Sequence, residues 1–123
     1  MIKRILGLFR AEPERAVTEL RIPTHQETHD YCEQVWLALD VDLRFQIIAI
    51  LVKMLNEDEQ RNEWRKVIDA DPLGWWTAYH FWQGMAIRNH LRDNGITDDL
   101  VGCNLDDIWV PAFEAAVNFL REK

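Results

Sequence analysis

The chain has 123 residues, 48% of them hydrophobic, with 6 Trp, 5 Gly, 4 Pro and a formal charge of −7. That length accommodates one core without a metal or disulfide staple. The charge excludes general nucleic-acid binding, which needs clustered Lys and Arg against phosphate. Scarce turn formers and long patterned stretches favour helices over a β-sandwich. The expected class is all-α: residues 1–123 form a single helical domain, an irregular bundle of about five main helices plus short N-terminal helical segments.

In chain order, Ile2, Ile5, Leu6 and Phe9 share one side of a short helix, with Lys3, Arg4 and Arg10 elsewhere. Residues 1–22 are read as an amphipathic segment that packs back on the bundle, although such a segment can also lie on a membrane or a partner. Met1–Phe9 is too short for a cleavable leader. The two cysteines, Cys32 and Cys103, are therefore expected as reduced thiols in a cytoplasmic protein. No apolar run reaches the length of a membrane span.

Thr24 followed by Glu27 is a capping box, and Cys32, Val35, Trp36 and Leu39 then form an apolar stripe at helical spacing. Asp40 and Asp42 are placed to cap a second helix, Leu43–Leu55. That helix is apolar on most sides, the pattern of a helix at the centre of a bundle. A charged turn at residues 56–62 leads to a short helix carrying Trp64, Val67 and Ile68, which ends before Pro72. Residues 75–92 read as one long helix closed by Gly95 in a left-handed cap. Thr97 starts a short turn. Asn104, with Asp106 and Asp107 behind it, opens a last helix whose buried stripe is Trp109, Phe113, Ala116, Val117 and Leu120. Pro111 marks a kink in this helix or its true start.

Chemistry-bearing candidates are few. His80, Gly84 and Arg88, spaced four apart with Asn89 beside them, fall along one side of the long helix. A glycine inside a helix costs about 1 kcal/mol relative to alanine, so it implies close approach of a backbone or a ligand. The set reads either as a polar notch that holds a small anion or as a helix crossing in which Arg88 pairs with Asp106 or Asp107. His25, His29 and Cys32 share a helix face at metal-ligand spacing, but they lack a visible donor from a second element. They read more simply as solvent-facing histidines and a buried thiol, so no metal or other cofactor is assigned. Trp75, Trp76 and Trp82 can stack a nucleobase or grip a peptide, but they read more simply as core. The chain has no serine, no Gly-rich phosphate loop and no nucleophile with an adjacent base.

The run His80-Phe81-Trp82-Gln83-Gly84-Met85-Ala86-Ile87-Arg88-Asn89 resembles a His-Phe-x-x-Gly-Met-x-Ile-Arg-Asn motif. That motif belongs to a group of uncharacterised bacterial and phage-associated helical domains. The resemblance spans residues 75–113 and includes the Asp106-Asp107 pair opening the next helix. After Asn89 the chain departs from the pattern, with His90-Leu91-Arg92-Asp93, and it has Leu105 where a proline is expected. The resemblance implies an all-helical domain of phage or bacterial origin and no particular activity.

The functional expectation is a non-enzymatic protein-interaction module, of the inhibitor or neutralising type, whose partner is another protein. Self-association is compatible with it; nucleic-acid binding and a membrane span are not expected. The alternative is a small-ligand binder or enzyme built on His80, Gly84, Arg88 and Asn89. The discriminating feature is whether Arg88 is already paired within the chain.

Overall fold

A computed structural model describes residues 22–59 and 61–121. The amphipathic N-terminal stretch lies outside these residues. The described chain is all-α: among the described residues there is no strand, and no helix is long and apolar enough to cross a membrane. The elements are α1 (His25–Leu37), α2 (Val41–Asn56), α3 (Arg61–Ala70), a 3-10 turn (Trp75–Ala78), a π turn (His80–Gly84), α4 (Met85–Asp93), α5 (Asp98–Val101), a second 3-10 turn (Leu105–Asp107) and α6 (Trp109–Arg121).

The caps form as the local sequence dictates. Thr24 Oγ1 accepts from the Glu27 N–H at 3.1 Å while Glu27 Oε1 accepts from the Thr24 N–H at 2.9 Å, the reciprocal box that satisfies two orphan donors. Asp40 accepts from the Asp42 and Leu43 N–H groups at the start of α2, Thr97 from Leu100 in α5, and Asn104 from Asp106. Gly95 ends α4 with φ of 88°, in the left-handed region where a Cβ is strained. Pro111 falls in the first turn of α6, whose leading N–H groups have no intrahelical partner to lose.

The centre of the fold is α6 rather than α2. Trp109, Val110, Ala112, Phe113, Ala116 and Val117 are all buried. Against α6 packs only one side of α2, where Ile47, Leu51 and Leu55 have no exposed surface. The outer side of α2 faces outward, with Phe45 64% exposed beside an apolar groove shared with Ala115 and Phe119. Five aromatic rings knit α3, the 75–84 segment and α6 together. Trp64 meets Phe113 edge-on at 5.2 Å, and Trp75 meets Trp109 edge-on at 5.8 Å, with Tyr79 5.1 Å from Trp64. Such edge-to-face pairs stabilise by about 0.5–1.5 kcal/mol beyond the area they bury.

The long helix expected over residues 75–92 is interrupted. Trp75 and Gly84 both contact Trp109, yet they lie nine residues apart, about two and a half turns of an ideal α-helix and so on opposite sides. An uninterrupted helix cannot present both to one ring. The chain resolves the conflict by winding tightly over Trp75–Ala78 and widely over His80–Gly84. There the Tyr79 carbonyl accepts from the N–H groups of both Gln83 and Gly84, at 2.9 and 3.0 Å. Regular α-helix resumes only at Met85, burying Ile87 and Leu91.

Candidate functional site

The side chains singled out around Gly84 come together, and they close on themselves. A Cβ built on Gly84 would lie 2.9 Å from two ring atoms of Trp109 and 2.9 Å from Arg88 Nη1. The space left by the absent side chain is thus filled by the indole. Arg88 Nη1 sits 2.8 Å from Asp106 Oδ1, close enough for an ion pair although it is not aligned as a hydrogen bond. Asn89 is exposed and accepts a hydrogen bond from Arg92, pointing away from the crossing. His80 is exposed, with its ring 6.1 Å from Trp109. This geometry gives Gly84 and Arg88 packing and pairing partners within the chain. Asp107, the other pairing candidate, has its carboxyl raised above the usual range by burial and by the neighbouring Asp106.

A second constellation lies on the junction of α1 and α6. His29 Nε2 is 3.0 and 3.2 Å from Glu114 Oε2 and Oε1. The buried indole of Trp75 donates to the same Oε2 at 2.8 Å. Glu33, one helical turn after His29, completes a group whose ligand-type atoms all lie within 4.8 Å of one another. All three residues are half-buried. Among the described residues no Lys or Arg pairs with either carboxylate, so two like charges share this junction with one imidazole.

Beside the junction is a cavity of about 200 Å³ lined by His29, Cys32, Trp76, His80, Asp107 and Trp109, among others. Trp109 is fully buried, and its indole N–H has no hydrogen-bond partner among the described residues. The Cys32 thiol is pushed up to about 11 by burial first, then by Asp107 and Glu114, which keeps it protonated at neutral pH and a poor nucleophile. Cys103 is raised for the same kinds of reason, with Asp107 and Asp98 as its charged neighbours, and both thiols are free.

The histidine–cysteine set considered for a metal is not assembled. His25 turns its ring edge-on to Trp76, at 5.9 Å, while His29 faces Glu114. Trp75 is core, and Trp76 is half-buried, donating to the Leu73 carbonyl. Sequence reasoning passed over Glu33 and Glu114. Two signals mark them: Glu33 is four residues from His29, and Glu114 is the lone acid in the apolar run from Val110 to Val117.

On the outer side of the π turn, Phe81 and Trp82 stand side by side, 65% and 74% exposed, with ring centroids 5.2 Å apart. No protein-family model, curated protein or solved structure matches the chain.

Proposed function

We propose that this protein is a non-enzymatic interaction module that engages another protein through Phe81 and Trp82. The observation that carries this reading is the exposure of two adjacent large aromatics from a π turn. Tryptophan is enriched among interface hot spots, and π turns recur at functional positions. The turn is held from behind by Trp109 and Gly84, so the two rings are presented on a braced backbone. Such bracing lowers the entropy lost on docking. With a formal charge of −7 on the chain, the fitting partner offers an apolar pocket with a basic rim. The pairing of Arg88 with Asp106 and the filling of the Gly84 gap by Trp109 remove the main support for a small-ligand site on that helix face.

The test compares immobilised wild-type protein with Phe81→Ala/Trp82→Ala and, as a surface control, Phe45→Ala, in extracts of cells that encode the chain. Light scattering gives the mass of each protein in parallel. The expected result is a partner retained by wild type and by Phe45→Ala, and weakened about tenfold or more by the double substitution, with every form monomeric. Identical partner sets for all three overturn the reading. So does a wild-type dimer dissociated by the double substitution, which assigns the aromatic pair to a second copy of the chain.

A further inference from the structure

The geometry points to a site for one divalent first-row transition ion at the α1–α6 junction, held by His29, Glu33 and Glu114. His29 and Glu33 are spaced i, i+4 on α1 and so share a face, and Glu114 comes from the facing helix α6. Two elements thus supply the donors, which the cluster on α1 alone lacked. Ligands bound at 2.0–2.1 Å to a tetrahedral ion stand roughly 3.3 Å apart, and around an octahedral ion about 2.9 Å apart. His29 Nε2 and the Glu114 oxygens, at 3.0 and 3.2 Å, already have that separation. The Glu33 carboxylate lies within 4.8 Å of both and closes by side-chain rotation.

Charge and surroundings point the same way. A dication would balance two half-buried carboxylates that have no Lys or Arg partner among the described residues. The Trp75 indole, donating to Glu114 Oε2 at 2.8 Å, fixes the orientation of that carboxylate as outer partners of metal ligands do. Three protein ligands leave at least one coordination position. Of the three ligands His29 also forms part of the wall of the 200 Å³ cavity, whose lining includes the buried Trp109 indole, with no acceptor for its N–H among the described residues. One imidazole with two carboxylates suits Zn(II), Mn(II) or Fe(II) better than Ca(II) or Mg(II), which favour all-oxygen shells. Cys32 lines the cavity but is not one of the three residues whose ligand-type atoms lie within 4.8 Å of one another.

Full-length protein stripped with chelator is titrated with Co(II), followed by visible absorption and calorimetry, and then challenged with Zn(II) and Ca(II). The expected result is one Co(II) per chain with d–d bands, displaced by Zn(II) and not by Ca(II), and a higher melting temperature with Zn(II) than with chelator. His29→Gln and Glu33→Gln each weaken binding on the order of tenfold or more, while His25→Gln leaves it unchanged. Glu33→Gln keeps the shape of a side chain that no hydrogen bond holds among the described residues, and the thermal shift of wild type reads binding without any variant. Absence of a stoichiometric site, or Co(II) binding that persists undiminished in both His29→Gln and Glu33→Gln, overturns the assignment.

Discussion

Helix α6 meets charged residues in two places, and it treats them differently. Near its start, Trp109 fills the gap at Gly84 beside Arg88 and Asp106, a cation and an anion at 2.8 Å. Farther along, Glu114 faces His29 and Glu33, where two carboxylates share one imidazole. In the first arrangement opposite charges match, and the space at Gly84 is filled by a ring. In the second, two carboxylates have no Lys or Arg partner among the described residues, and the cavity touches both, through Asp106 and Trp109 of the first and His29 of the second. The closed contact is built from residues with a visible helical spacing, whereas the unmatched junction joins His29, which has such a spacing, to Glu33 and the distant Glu114.

The comparison breaks most sharply at Gly84. Replacing it with alanine places a methyl group 2.9 Å from the fully buried Trp109 ring, so the ring or the backbone must shift. Overpacking of this kind costs about 1–3 kcal/mol, more than the roughly 1 kcal/mol that alanine gains in helix propensity. Gly84→Ala is therefore expected to lower the urea midpoint, with a net loss centred on about 1 kcal/mol. A neutral or stabilised variant would show that the contact is loose.

A second effect, confined to alkaline pH, comes from the cavity wall. The Cys32 pKa is raised from its ordinary 9.0 to about 11, so the folded state holds its proton more tightly than the unfolded chain does. The corresponding stability is fully present below pH 9, declines as pH rises, and is lost above about 11. Equilibrium unfolding between pH 8 and 11 should show a steeper alkaline decline for wild type than for Cys32→Ala, whatever their difference at pH 8. Parallel curves would place Cys32 in a more solvated setting than the cavity provides.

Much of the fold was legible because it is decided locally. Thr24 with Glu27, Asp40, Thr97, Asn104 and Gly95 each satisfy or terminate backbone groups within a few residues in the structure, although Asn104 caps the 3-10 turn Leu105–Asp107 and the last helix begins only at Trp109. The pairing of Arg88 with one of the two aspartates was legible as one of two alternatives. Two features were not legible, because they depend on residues distant in sequence. The break in the segment after Trp75 arises from one ring, Trp109, demanding contacts half a turn out of register with each other. The role of Glu114 arises from α1 lying across α6, which no spacing within either helix reveals. The all-round apolar pattern of α2 misled in a related way. It marked a helix with one buried side and one apolar outer side carrying Phe45, while the centre fell to α6.

The contrast between the matched and the unmatched junction is tested most directly by the sign of two charge removals. Asp106→Asn and Glu33→Gln are unfolded in urea at neutral pH with chelator present. Asp106→Asn should lose about 1 kcal/mol, a value held down by the near-half exposure of Asp106, because it leaves the largely buried Arg88 guanidinium without its anion. Glu33→Gln should gain up to about 0.5 kcal/mol, because it removes one of two like charges that no Lys or Arg among the described residues offsets. Opposite signs support the account; a loss of stability in Glu33→Gln equal to that in Asp106→Asn contradicts it.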